Sequence, residues 1–259
     1  MESGTTGPAA QVADDLTFAD LGRVLASGCD DFRANPVFGL FFAAIYVFAG
    51  LALYYGVRTW GQTAWFIPAI AGFPIIAPFI AVGLYEVSRR REAGLPMHWG
   101  PILGALKGRG DEQIILMGGF VFVAFSFWVI LAHTISLIFL PNTGMETDGI
   151  AALQTEAGIA MLAVGSMVGA LLAWGLFSIT VISLPMLIDR DVDCITAIIA
   201  SVKTVRRNMS VMLAWAGIIA VSLGAAMLPF FLGLLIVLPV IGHATWHLYR
   251  RALSISAVE

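Results

Sequence analysis

The chain has 259 residues, of which 59% are hydrophobic and only 12% charged, with a net charge of −3; mean hydropathy is +0.89. A soluble domain carries about 25% charged residues, so a water-surrounded globule is excluded. A nucleic-acid binder is excluded too, since no basic face is available. Uncharged runs of membrane-crossing length recur, and the alternation of barrel strands is absent, so the fold class is all-α and polytopic.

Residues 1–16 open small, polar and acidic, with no basic segment followed by an apolar run. They read as a disordered cytoplasmic tail and not as a cleavable signal. Residues 17–32 show an amphipathic pattern (Phe18, Leu21, Val24, Leu25, Phe32) with Asp20, Asp30 and Asp31 at polar positions. Such an acidic helix is not drawn to anionic lipid. It is expected to rest on basic loops of its own chain or on a partner.

Asn35-Pro36 marks a helix start, a cap followed by proline at the first helical position. Six crossings follow, at about 37–57, 62–85, 113–139, 157–187, 211–228 and 230–248, within one transmembrane domain spanning 17–251. Residues 252–259 form a second cytoplasmic tail. The last two crossings come from one run, Val211 to Leu248, that lacks Asp, Glu, Lys and Arg. A single helix of that length would extend roughly 57 Å at 1.5 Å per residue, too long for one passage, so the run is divided at Pro229.

Between the fourth and fifth crossings, Ile195, Ile198, Ile199, Val202 and Val205 make an i, i+3, i+4, i+7 stripe. Asp191 and Asp193 stand at its start and Arg206 and Arg207 at its end, the arrangement a helix dipole favours. The stripe is expected to be the buried face of a boundary helix, with Thr204 on the solvated side. Trp99, Ile102, Leu103 and Leu106 repeat the same spacing, and Lys107 matches Lys203. The chain therefore reads as three units, each an amphipathic cytoplasmic helix and a transmembrane hairpin.

All basic residues except Arg58 fall on one side of this topology. The positive-inside rule then puts both termini in the cytoplasm. Cys29 and Cys194 fall on the reducing side and are expected as free thiols.

Four stretches, DFRANPVFGL, GLYEVSRRREAGLP, LPMLIDRDVD and GHATWHLYRR, resemble an uncharacterised bacterial family of integral membrane proteins. The resemblance runs from about Asp15 to Arg251. It implies six helices in the inner membrane, and some members carry a provisional label of cytochrome c oxidase subunit. It supplies no catalytic residues.

Candidate chemistry is sparse. His243 and His247 stand one helical turn apart beside Trp246, Tyr249, Arg250 and Arg251. Two such imidazoles hold a metal only with further donors, and Glu86 and Asp189 are the candidates. The alternative is an interfacial belt or an inter-helix clasp. His133 is the ionisable residue deepest within a crossing, a functional candidate by position, with Ser126, Thr134 and Ser136 near enough to satisfy it. No second deep histidine exists to bridge a haem. Gly165, Gly169 and Ala173 form a small-residue strip suited to close helix contact, within the bundle before between copies. No catalytic constellation or phosphate-binding loop is present. The reading is a membrane protein with no metal, cofactor or active site of its own. Its expected contacts are the lipid bilayer and a membrane-complex partner, and its expected role is an accessory, assembly or interaction subunit. The alternative is a channel or facilitator for a small uncharged solute.

Overall fold

A computed structural model describes residues 12–60, 80–107, 111–139 and 154–253. Among them every regular element is helical. In chain order they are α1 (Phe18–Ala34), α2 (Pro36–Trp60), α3 (80–92) and α4 (Trp99–Leu103), extended by a 3₁₀ turn (Gly104–Lys107). Next come α5 (Asp111–Phe139), α6 (Glu156–Thr180), α7 (Ser183–Asp189) and α8 (Cys194–Arg207). Then α9 (Met209–Met227) and α10 (Leu234–Ala252) complete the chain.

Among the described residues four helical stretches are long and apolar enough to cross a membrane: Pro36–Gly56, Glu112–Phe139, Glu156–Asp189 and Met209–Met227. They correspond to the first, third, fourth and fifth predicted crossings. The predicted second crossing lies outside the described residues up to 79, and α3 is its described end. The predicted sixth, 230–248, begins later. Residues Leu228–Gly233 form turns, with Phe230 and Phe231 in the left-handed region at φ 49° and 64°. The helix that follows carries Pro239, two histidines and an arginine pair, which make its second half polar.

Helix α1 is started by a capping box between Thr17 and Asp20. Its inward face differs from the predicted stripe: Asp20, Leu21, Val24, Gly28 and Asp31 are buried, while Phe18 is exposed. Gly28 explains the seating on α10. A Cβ there would lie 2.6 Å from the Val240 carbonyl oxygen and 2.7 Å from the Ala244 nitrogen, so the two backbones touch. Residues 12–16, expected to be disordered, are docked. Val12 and Leu16 are buried, the Leu16 N–H donates to Asn208 Oδ1 at 3.1 Å, and the Ala13 N–H donates to the Ala252 carbonyl at 2.9 Å. The two described ends of the chain thus meet.

The predicted fourth crossing is bent. Ser201 Oγ of α8 donates to the Ser178 carbonyl at 2.7 Å and accepts the Ile182 N–H at 3.2 Å. Those two backbone groups would otherwise bond to each other along a continuous helix, so one hydroxyl has inserted into the ladder. Pro185, three residues on, lacks the N–H for the next bond, and the chain restarts as α7.

The predicted face of α8 is corrected in part, since Val205 is buried and Ile198 packs against the core as expected. Cys194, Ala197, Ser201, Thr204 and Val205 point inward, whereas Ile195 is 53% and Ile199 61% exposed. Thr204, expected in solvent, is fully buried, its hydroxyl donating to the Ala200 carbonyl at 2.9 Å. Small side chains let α8 approach its neighbours closely. Both cysteines are free thiols. In α4, as in α8, the first and fifth positions of the shared pattern (Trp99, Leu103) are exposed and Ile102 is buried, but α4 is a single turn and a half.

Packing is uneven along the bundle. Trp215, Trp246, Tyr249, Met186, Leu187 and Leu248 fill a continuous core where α1, α7, α8 and α10 converge. Away from it, α5 and α6 bury few of their apolar side chains, Ile114, Met117 and Val121 among them. Between them lies an open groove of about 950 Å³, lined by Trp128, Ala132, Gly165, Ser166, Gly169 and Leu172 among others.

Candidate functional site

Polar groups concentrate where α1, α3 and α10 meet. Gly28 brings α1 against Ala244, and one turn further Asp31 faces His247, one turn beyond Ala244. Asp31 is 2% exposed. Its Oδ2 accepts from Ser88 Oγ at 2.6 Å and from His247 Nε2 at 2.9 Å, and its Oδ1 accepts from Arg91. Ser88 also meets His243 Nδ1 at 2.8 Å. A hydroxyl has one proton to give, and the short contact to the carboxylate takes it, so His243 donates through Nδ1–H and keeps Nε2 unprotonated. That nitrogen is buried with no hydrogen-bond partner among the described residues.

Burial pushes the Asp31 carboxyl up, but hydrogen bonds from His247, Ser88 and Arg91 outweigh it and hold the group below the ordinary carboxylate range. The site is therefore a buried carboxylate with three donors, tying three helices together. Ser88 is 1% exposed, and its hydroxyl is shared between the Asp31 carboxylate and the His243 ring.

Two further ion clusters brace the same end. Tyr249 donates to Asp189 Oδ2 at 2.6 Å, and Arg250 pairs with Asp189 at 3.1 Å and with Glu92 at 3.0 Å. Trp246 Nε1 donates to Glu92 at 2.9 Å. Burial, reinforced by Asp189, drives the Tyr249 hydroxyl well above its usual pKa. Arg251 meets Asp15 at 3.1 Å and Asp20 at 3.4 Å. For Asp20 burial works upward, yet the bonds to Thr17 and the Arg251 charge leave its pKa lowered. The acidic first helix does rest on basic residues of its own chain.

The residues singled out as metal donors do not converge. His243 is bound to Ser88 and His247 to Asp31, while Glu86 is engaged by Arg89 and Arg90, and Asp189 by Tyr249 and Arg250. Among the described residues no group of three or more His, Cys, Asp or Glu is placed to hold a metal. The carboxylate that does reach the histidines is Asp31. Asp20, Val24, Gly28 and Asp31 fall at i, i+4, i+8 and i+11, one helical face, and that alignment was the available signal. His133 is exposed on α5, far from this cluster in the sequence order of elements. The hydroxyls expected to serve it bond backbone carbonyls instead: Ser126 to Phe122, Thr134 to Ile130 and Ser136 to His133 itself. Of the small-residue strip, a Cβ on Gly169 would come within 2.9 Å of the Trp128 ring of α5, whereas Gly165 faces open space.

The four motifs quoted from the sequence all end here. DFRANPVFGL begins with Asp31, GLYEVSRRREAGLP holds Ser88 and Arg91, GHATWHLYRR holds both histidines, and LPMLIDRDVD supplies Asp189. Residues 66–189 match DUF2189. That family is described as a predicted integral membrane protein, and the chain is accordingly an integral membrane protein whose apolar helices contact lipid. The DUF2189 match contains α3 through α7, hence Ser88, Arg91, Glu92 and Asp189; Asp31, His243 and His247 lie outside it. No curated protein and no solved structure matches the chain.

Proposed function

We propose that the protein is a non-catalytic accessory or assembly subunit of a membrane complex. The carrying observation is the α5–α6 groove, an apolar trough of about 950 Å³ in which Gly165 leaves bare backbone facing outward. Small residues allow a second helix to approach closely, which is how helices associate in lipid. The occupant we assign is an apolar transmembrane helix of a partner protein, and the provisional oxidase label makes a respiratory complex the first candidate. The ionisable groups at the other end are spent on each other, which supports a structural role for them.

We further propose six crossings, a bacterial inner-membrane location and cytoplasmic termini. The one-sided basic residues support the orientation, and the contact between Ala13 and Ala252 supports an even number of passages. Reporter fusions active only outside the cytoplasm are expected to work after Gln154 and to fail after Gly94 and Leu253; an external signal at Leu253 would overturn the arrangement.

A photo-crosslinking residue at Gly165, compared with one at Leu213 on exposed α9, tests the role. A discrete protein adduct at Gly165 alone is expected, the same protein co-purifying with the unlabelled chain. Lipid adducts only, at both positions, would refute the reading. Proteoliposomes that swell in small uncharged solutes faster than empty vesicles would favour the facilitator instead.

A further inference from the structure

The arginines placed to fix orientation are largely neutralised within the chain. Those described on α1, α3 and α10, together with Arg190, each lie within 3.9 Å of a carboxylate. Helix α8 differs. Lys203, Arg206 and Arg207 are exposed and meet no carboxylate among the described residues; Arg207 touches only the Val12 carbonyl, at 3.3 Å. Two residues beyond Arg207, α9 starts its crossing at Met209, and its exposed flank continues through Met209 and Leu213. Ile195 and Ile199, exposed on the outer side of α8, extend that apolar surface at boundary level.

We infer that α8 and the start of α9 form a binding site for one anionic phospholipid, its headgroup phosphate on Lys203 and Arg206 and an acyl chain along Met209 and Leu213. Charge complementarity selects the ligand. These cations meet no counter-charge among the described residues, and long basic side chains reach the headgroup layer while their stems stay on apolar surface. The inference rests on α9 crossing the bilayer, not on the accessory role, so either can fail alone. Arg89, Arg90 and Arg91 are instead occupied by Glu86 and Asp31.

The test uses the full chain in vesicles of phosphatidylcholine and phosphatidylglycerol, with a fluorophore on Leu213→Cys in a Cys29→Ser background. Quenching by brominated-tail phosphatidylglycerol is expected to exceed that by brominated-tail phosphatidylcholine at equal mole fraction. Each cation near the surface contributes about a fivefold preference, so Lys203→Gln and Arg206→Gln should each remove about that much. Lys203→Arg with Arg206→Lys should keep the preference, as should Arg23→Gln, an exposed arginine on α1. Equal quenching by both lipids in the parent, or a preference that survives the double glutamine variant, would overturn the inference.

Discussion

Asp31→Asn is the most informative perturbation of the clasp. The carboxylate accepts three hydrogen bonds, from Ser88, His247 and Arg91, in a site where it is 2% exposed. Asparagine keeps the shape and one acceptor oxygen, but its amide nitrogen faces donors. Hydrogen bonds to a charged group contribute about 1.5–3 kcal/mol each. Removing one partner of a buried pair costs about 3–5 kcal/mol. Arg91 is 39% and His247 24% exposed, so water recovers part of that, and about 3 kcal/mol is expected. The neighbouring Asp30 is the control: it pairs with Arg33 at 3.6 Å with both side chains well exposed, and Asp30→Asn should change stability by less than about 0.5 kcal/mol. Reversible unfolding of the detergent-solubilised chain by a denaturing surfactant gives both values. Equal values for the two variants would refute the reasoning. The pH dependence follows from sign. The Asp31 pKa is lowered in the folded state, so its contribution is fully present above the unfolded value of about 3.9 and is lost as pH falls through the folded value. Wild type should therefore lose stability below about pH 4 more steeply than Asp31→Asn.

Gly28→Ala places a methyl 2.6 Å from the Val240 carbonyl oxygen and should lift α1 off α10, costing about 2 kcal/mol or more; faster tryptic cleavage at Arg23 and Arg33 reads it out. Ser201→Ala leaves the Ser178 carbonyl and Ile182 N–H without their bridge, a loss of about 1–3 kcal/mol against little change for exposed Ser210→Ala. Thr204→Asp buries an unpaired carboxyl at a fully enclosed position and should abolish folded protein in a size-exclusion assay, whereas Ile199→Asp, on the outer face, should retain it.

Much of the layout was legible because it depends on local chemistry. Asn35-Pro36 separates α1 from α2, and the long run after Val211 breaks around Pro229, as cap and length arguments require. Which face of a helix is buried was legible only in part, for Leu21, Val24, Ile102 and Val205. In water an apolar stripe marks the core, and that rule assigned Ile195 and Ile199 inward. Lipid is as apolar as a core, so the isoleucines point outward and Ala197, Ser201 and Thr204 make the close contacts. Asp20 and Asp31 were expected against basic loops or a partner, but their burial was not legible, since Arg251 and Arg91, which make it tolerable, are distant in sequence. The bend at Ser178 depends on a hydroxyl from another helix, and no local signal announces it.

The seat of α1 lies on α10, which leaves the ribosome long after it. Asp31 and His247 are 216 residues apart, so at roughly 5–20 residues per second the first helix waits about 10–40 s for its counterpart. Throughout that interval Leu21, Val24 and two acids meant for burial have no cover. A chain cut short anywhere before α10 would keep them uncovered permanently. The clasp therefore closes only after α10 has been made.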